Sequence, residues 1–108
     1  MSKYNSRKTT IDGIEFDSQK EGRRYSELML LERAGEISEL ILQPEYILQE
    51  GFRKNGKTYR PIKYIADFQY IENGKMIVED CKGVKTEVYK IKKKLFEKRY
   101  NNLTIREV

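Results

Sequence analysis

Residues 65–83 read IADFQYIENGKMIVEDCKG, two largely apolar runs on either side of Asn73-Gly74. Asn-Gly is the dipeptide most typical of a two-residue β-hairpin loop, because both residues readily adopt positive φ angles. The stretch therefore predicts two antiparallel strands joined by a tight turn. With a two-residue loop, Asp67 on the first strand lies opposite Asp80 on the second.

Side-chain alternation along the second of these strands separates its polar residues into two sets. Asp80 and Lys82 share one face, and Glu79 and Cys81 share the other. Asp67 stands in an apolar run, where an ionised carboxylate is costly unless an ammonium group or a divalent cation accompanies it. We therefore expect Asp67, Asp80 and Lys82 to meet at one place.

Two carboxylates and a lysine at this spacing fit the hydrolysis of a phosphodiester. Asp67 and Asp80 would hold one or two Mg2+ or Mn2+ ions, and Lys82 would orient the attacking water or stabilise the charge of the transition state. Two alternatives stay open. Lys82 neutralises Asp80 in a simple salt bridge, or a β-bulge lets Glu79 take the place of Asp80.

Capping residues, turns and periodicity predict the other elements. They are a helix over 18–34 that begins at Ser18, a strand over 40–52 containing Pro44, a turn at Asn55-Gly56, a strand over 59–71, a helix over 86–100 that packs through Val88, Ile91, Leu95 and Phe96, and a last strand over 103–108. We expect an α/β protein with an α+β meander core, a mixed four-stranded sheet flanked by two helices. Residues 1–10 are expected to be flexible and residues 11–108 to form one domain.

Composition excludes several kinds of chemistry. The chain of 108 residues has no histidine and one cysteine, Cys81, so histidine-based nucleophile pairs, histidine-ligated metals and disulfides are excluded. It has neither GxxxxGK[ST] nor GxGxxG, and we expect no nucleotide cofactor. No apolar stretch approaches the length of a membrane span, roughly 20 residues. We expect a cytoplasmic protein that does not contact a membrane.

The positive charge is concentrated in two stretches. The formal net charge is +5; Arg53 to Lys63 contains five basic residues and no acid, and Lys82 to Arg99 contains eight against Glu87 and Glu97. Such stretches are typical of a surface that faces nucleic-acid phosphates, although they also occur as ordinary solvated faces. The lysines chosen as phosphate contacts are Lys63, Lys85, Lys90 and Lys93.

The predicted order of elements and the acidic residues resemble the PD-(D/E)XK nuclease superfamily, whose core is a restriction-endonuclease-like αβββαβ fold. The family's metal-binding aspartate matches Asp67, although Ala66 stands where the pattern has proline. Its (D/E)-x-K element matches Asp80-Cys81-Lys82, followed by Gly83. Residues 11–108 are also similar to a small phage and prophage family known as a domain of unknown function, DUF1064.

The resemblance adds Glu21 and Cys81 to the expected site. Glu21 matches the family's additional glutamate on the first helix, and its spacing to Tyr25 and Leu28 places it on the face that packs toward the sheet. The competing explanation is a capping box with Ser18. Cys81 is interpreted as a small buried residue whose backbone carbonyl faces the metal, rather than as a nucleophile.

These features predict a Mg2+- or Mn2+-dependent DNA endonuclease encoded by a phage or prophage and acting in the bacterial cytoplasm. A core of this size favours structure-selective cleavage, such as that of branched DNA in recombination or repair, and a homodimer would cut both strands. The alternative is a non-catalytic nucleic-acid-binding module that keeps the fold. A third interpretation is a protein-interaction domain whose salt bridges only support the fold.

Overall fold

A computed structural model describes residues 7–108 as a mixed α and β protein. Its elements are β1 (Thr9–Ile11), β2 (Ile14–Phe16), α1 (Gln19–Arg33), β3 (Ser38–Leu42), β4 (Glu45–Gln49), β5 (Phe52–Lys54), β6 (Lys57–Tyr59), β7 (Ile62–Ile65), β8 (Phe68–Glu72), β9 (Lys75–Asp80), α2 (Glu87–Arg99) and β10 (Ile105–Glu107). Of the segment 1–10 predicted to be flexible, residues 1–6 lie outside the described residues, whereas Thr9 and Thr10 pair with β2. Neither helix in the described range is long and apolar enough to cross a membrane.

The main sheet has four strands in the order β10-β9-β8-β3. β8 is antiparallel to both β3 and β9, and β10 is parallel to β9, so the predicted mixed four-stranded sheet is confirmed. Phe68 pairs with Glu79 and Glu72 with Lys75, which is the register expected for a two-residue loop. Asn73 and Gly74 have φ angles of 52° and 76°, as that loop requires.

The two long strands predicted before this hairpin are each broken into three. The 40–52 strand becomes β3, β4 and β5, and the 59–71 strand becomes β6, β7 and β8, so β4–β7 and β5–β6 form separate two-stranded sheets. The break between β3 and β4 lies at Gln43, which has a φ of 51°. The Gln43 N–H donates to the Asp67 carbonyl over 3.0 Å, and the Ala66 N–H donates to the Pro44 carbonyl over 3.1 Å. Asp67 therefore sits at a bend that hydrogen bonds hold on both sides.

The first helix begins at the predicted cap, Ser18, and the second begins at Thr86, for which no cap was predicted. The Ser18 hydroxyl accepts a hydrogen bond from the Glu21 N–H, and the Thr86 hydroxyl accepts one from the Tyr89 N–H, each over 3.1 Å. The helices Gln19–Arg33 and Glu87–Arg99 agree with the predicted ranges to within one residue at each end.

The face predicted for α2 is wrong for three of its four residues. Phe96 is buried as predicted, together with Tyr89, whereas Val88, Ile91 and Leu95 are 62%, 58% and 40% exposed. The larger aromatic side chains pack on β4 and β7, where the Phe96 ring lies edge-on to those of Tyr46 and Tyr64. The helical period was correct, but the packing side is rotated away from the aliphatic residues.

Two apolar clusters cover the two faces of the sheet. The α1 cluster consists of Phe16, Tyr25, Leu28, Ile37, Phe68 and Tyr70. The α2 cluster consists of Tyr46, Leu48, Tyr64, Ala66, Val78, Tyr89, Phe96 and Ile105. Val78 pairs with Gln69, which alternates with Phe68 and Tyr70 along β8, so the sheet separates the two clusters, with one helix on each face.

A buried ion pair ties α1 to β9. Glu79 is fully buried, and the Arg24 guanidinium donates to both of its oxygens, from Nε over 2.6 Å and from Nη2 over 2.9 Å. The Tyr70 hydroxyl donates to the same carboxylate over 2.6 Å. A two-point contact of this kind satisfies the buried charge and fixes the position of the helix.

We predict that Arg24→Ala lowers the free energy of unfolding by about 3 kcal/mol, because the Glu79 carboxylate then stays buried without a counter-charge. Urea denaturation at neutral pH measures the loss. Glu27→Ala is the matched control, since it removes the exposed partner that lies 3.0 Å from the same guanidinium; its expected change is below about 1 kcal/mol. Equal losses in the two variants would contradict a dominant role for the buried pair.

Candidate functional site

A cleft of about 540 Å³ opens where β8 begins, where β9 ends and where both helices start. The residues that line it are Arg7, Asp17, Ser18, Gln19, Lys20, Glu21, Asp67, Cys81, Lys82, Gly83, Val84 and Thr86. A smaller recess of about 140 Å³ shares Glu21 and Asp67 with it and includes Gln43. Four of the five predicted site residues therefore line one cleft, namely Glu21, Asp67, Cys81 and Lys82. The fifth, Asp80, is buried beside them.

Asp67 is held at the bend between β7 and β8. Its Oδ2 accepts a hydrogen bond from the Cys81 N–H over 2.7 Å, which places its carboxylate beside the end of β9. Burial raises the pKa of Asp67 well above its ordinary value, and the neighbouring Asp80 carboxylate raises it further. Two carboxylates are thus brought close together, as the predicted register required.

Asp80 is fully buried, and only one of its two carboxylate oxygens accepts a hydrogen bond. The Tyr64 hydroxyl donates to its Oδ2, while its Oδ1 has no hydrogen-bond partner among the described residues. Lys82 Nζ lies 3.3 Å from this Oδ1 and 4.9 Å from the centre of the Tyr89 ring. The ion pair between Lys82 and Asp80 that we considered as an alternative is therefore formed, in a geometry that leaves one oxygen without a hydrogen bond.

Only one half of the capping box considered for Glu21 is formed: its backbone N–H donates to the Ser18 hydroxyl. Its side chain, 6% exposed, lines the cleft with Asp67 and Lys82. Burial raises the pKa of Glu21, and the nearby Asp17 and Asp80 carboxylates add to the rise. The glutamate thus joins the same acidic group from the first turn of α1.

The donor atoms of these side chains decide whether they can hold a metal ion. Within residues 7–108, no three Asp, Glu or Cys side chains are already arranged around one point as a ligand shell. The oxygens of Asp67 and Asp80 are nevertheless the hard donors that Mg2+ and Mn2+ prefer. The unbonded Asp80 Oδ1 and the raised pKa values of Asp67 and Glu21 are features that a divalent cation would relieve.

Glu79 lies apart from this group with Arg24 and Tyr70, whereas Cys81 lines the cleft. The β8–β9 register is regular through Phe68 and Glu79, without the bulge that would bring Glu79 to the position of Asp80. Burial raises the pKa of the Cys81 thiol to about 12, and the Asp67, Glu79 and Glu21 carboxylates contribute. The thiol therefore stays protonated at neutral pH, which argues against a nucleophile. Cys81 is half-buried, not fully buried as predicted.

The four lysines predicted to contact phosphate are all paired with carboxylates. Lys85 and Lys93 lie 3.2 and 3.3 Å from Glu107 Oε1. Lys63 is 3.3 Å from Glu45, and Lys90 is 3.2 Å from Glu87. Exposed pairs of this kind are weak, so a phosphate can compete for the lysines, but their charge is already partly neutralised.

A family model described as "Protein of unknown function (DUF1064)" matches residues 1–108. The chain belongs to the DUF1064 family. The similarity to this family noted over residues 11–108 is thereby confirmed and extends over the whole chain. No curated protein and no solved structure matches it significantly.

Several residues that position the site of this DUF1064 protein were not predicted to do so. Tyr64 binds Asp80, and Tyr89 lies beneath Lys82, whereas the sequence predicts core packing or base stacking for both tyrosines. A signal was present for Tyr64, because it lies on the strand leading to Asp67. Arg24 carried no local signal, since its partner Glu79 is 55 residues away.

The ion pairs of Glu107 make the stability of the fold depend on pH. Its pKa is lowered to about 2 by the Tyr89 hydroxyl, which donates over 2.7 Å, and by Lys85 and Lys93. A carboxylate whose pKa is lower in the folded state stabilises the protein above its ordinary pKa of 4.5 and loses that contribution as the pH falls toward 2. The pairs of Glu107 thus hold α2 to β10 most firmly at neutral pH.

We therefore expect Glu107→Gln to lower the free energy of unfolding at neutral pH by about 1 kcal/mol, after allowance for solvent screening. The difference from wild type should shrink below the ordinary pKa of the carboxylate. Thermal unfolding followed by circular dichroism over this range measures both effects. A difference that stays constant with pH would refute the electrostatic explanation.

Proposed function

We propose that this protein is a divalent-metal-dependent DNA endonuclease with a restriction-endonuclease-like core of the PD-(D/E)XK type. The observation that supports it most is the pairing of Asp67 with Asp80, whose buried Oδ1 lacks a hydrogen bond, beside Lys82. Metal-assisted phosphodiester hydrolysis needs clustered carboxylates that can bind a cation and an ammonium group nearby. Asp67 and Asp80, with one oxygen lacking a hydrogen bond, and Lys82 supply these groups.

Each residue of the group has a role in this proposal. Asp67 and Asp80 would hold Mg2+ or Mn2+ with help from Glu21, and the bound cation supplies Lewis-acid activation of the phosphate and of a water molecule. Tyr64 fixes the Asp80 carboxylate through its hydroxyl. Lys82, held above the Tyr89 ring, is free to turn from Asp80 toward a phosphate oxygen and stabilise its growing charge.

The surroundings of the cleft also suit a phosphate. Both helices begin at its rim, so the positive ends of the two helix dipoles lie beside the cleft. Arg7 and Lys20 line it as well. The net charge of +5 favours association with a polyanion.

The most plausible setting for this activity is DNA recombination or repair encoded by a phage or prophage in the bacterial cytoplasm. The small core leaves little surface for reading a base sequence, which favours selection by DNA structure, such as a branch. Cutting both strands together needs two copies of the site, and a homodimer would provide them.

The direct test is cleavage of supercoiled, single-stranded and branched DNA with Mg2+, with Mn2+ or with EDTA. We expect metal-dependent cutting by the wild type and a loss of about a hundredfold or more in Asp80→Asn and in Lys82→Gln. Glu72→Gln is the control, because it removes another carboxylate of the β8–β9 hairpin, one paired with Arg106 outside the cleft. Equal cutting by all three variants would refute the proposed catalytic group.

Metal binding can be measured apart from cleavage. Mg2+ or Mn2+ should raise the melting temperature of the wild type, since the ion binds only the folded chain. Asp67→Asn removes one ligand charge while keeping an acceptor for the Cys81 N–H, and should abolish the shift. Glu72→Gln should retain it. A shift of equal size in Asp67→Asn would place the bound ion elsewhere.

The second candidate is a non-catalytic nucleic-acid-binding module. It is favoured by the ion pair between Lys82 and Asp80, which resembles a structural salt bridge, and by the lack of a three-residue ligand shell within residues 7–108. DNA binding without cutting, together with no metal-induced rise in melting temperature, would select this function over the nuclease.

A further inference from the structure

The β5–β6 hairpin stands away from the rest of the described chain. β5 (Phe52–Lys54) and β6 (Lys57–Tyr59) pair with each other, and neither makes more than marginal contact with any other element within residues 7–108. All residues from 49 to 63 are exposed. A hairpin with no core of its own contributes little to the stability of the fold, so its composition is free to serve another purpose.

One face of this hairpin combines aromatic and basic side chains. Phe52 pairs with Tyr59, their rings are stacked with centres 4.7 Å apart, and they are 44% and 39% exposed. Lys54 pairs with Lys57, whose Nζ lies 5.2 Å from the centre of the Tyr59 ring. Like charges directly opposite each other destabilise a strand pair unless an anion lies between them.

The opposite face adds a preordered guanidinium. Arg53 donates to the Thr58 hydroxyl over 2.8 Å and to the Gly56 carbonyl over 3.4 Å, and these contacts hold it along the hairpin. In the described part of the chain, no carboxylate lies within 4 Å of Arg53, Lys54, Lys57 or Arg60. This distinguishes them from the four lysines predicted from the sequence to contact phosphate, each of which is paired with an acid.

The hairpin is joined to the cleft by the β4–β7 ribbon. Tyr59 precedes Asp67 by eight residues, which span at most about 26 Å in an extended strand. One turn of B-DNA is about 34 Å long. The hairpin therefore lies within one duplex turn of the cleft, close enough for one bound duplex to contact both.

We propose that the β5–β6 hairpin is a DNA-binding arm that lies against the duplex beside the cleaved phosphodiester. A two-stranded ribbon fits the major groove, where Lys54 and Lys57 would contact phosphates and the exposed Phe52 and Tyr59 rings would pack against sugars and bases. The choice of DNA as the partner rests on the proposed function. The charge and exposure of the hairpin are observations that do not depend on that function.

The test is the affinity for a fluorescein-labelled duplex, measured by anisotropy in EDTA so that cleavage cannot contribute. Lys57→Ala should bind several-fold more weakly than wild type. Lys75→Ala is the matched control, because Lys75 is an exposed lysine that also follows an Asn-Gly turn but lies on the other hairpin; its affinity should be unchanged.

The salt dependence identifies the contacts as phosphate contacts. Between about 50 and about 200 mM KCl, the slope of log K against log salt should fall in magnitude by about 1.8 in Lys54→Ala/Lys57→Ala, since each phosphate contact contributes about 0.9. Lys54→Gln/Lys57→Gln should behave alike, and both double variants should melt at the wild-type temperature. If the wild type and the double variants had the same DNA affinity and the same salt slope, the proposal of a DNA-binding arm would be overturned.

The two proposals can fail separately. If Asp80→Asn loses cleavage while it binds DNA as wild type does, and the arm variants lose affinity, both stand. If no DNA is cut but binding still depends on Lys54 and Lys57, the nuclease fails and the arm stands. If the wild type prefers single-stranded DNA, or binds no DNA at all, placement of the hairpin in a duplex groove is overturned.

Discussion

The antiparallel register of β8 and β9 is the constraint on which both sides of the molecule depend. The consecutive carboxylates of Glu79 and Asp80 leave β9 on opposite faces because side chains alternate along a strand. The pairing of Phe68 with Glu79 puts Glu79 on the face that carries α1 and Asp80 on the other face. A slip by one residue would exchange them, leaving Arg24 without its partner and Tyr64 without Asp80. The tight turn at Asn73-Gly74, with both residues at positive φ, sets this register locally and resists such a slip.

The two carboxylates separated by this register have different environments. Glu79 is bound at both oxygens by Arg24 and again by Tyr70, so its charge is compensated and serves the packing of α1. Asp80 has Tyr64 on one oxygen and only a nearby ammonium at the other. An unbonded buried oxygen costs free energy. Local costs of this kind concentrate at functional sites, which supports the proposal that a cation binds between Asp67 and Asp80.

The positive charges of the chain are used in two ways. Lys85 and Lys93 meet at Glu107 and, with Tyr89, join α2 to β10, so part of the basic surface next to the cleft holds the fold together. The charges of the β5–β6 hairpin have no such partners in the described chain and repel one another at Lys54 and Lys57. In our two proposals, chemistry at the cleft and attachment to a polyanion therefore belong to different parts of the molecule, connected by the β4–β7 ribbon.

The sequence by itself determined the features that neighbouring residues encode: the caps at Ser18 and Thr86, the Asn-Gly turn, and through that turn the meeting of Asp67 with Asp80. It also contained the Asp12-Gly13 turn of the β1–β2 hairpin, which was overlooked. Only the tertiary structure decided which side of α2 is buried, where the long strands bend, which lysines are paired, and that Arg24 reaches Glu79. These depend on groups distant in the chain, and neither periodicity nor spacing carries information about which distant surfaces pack together.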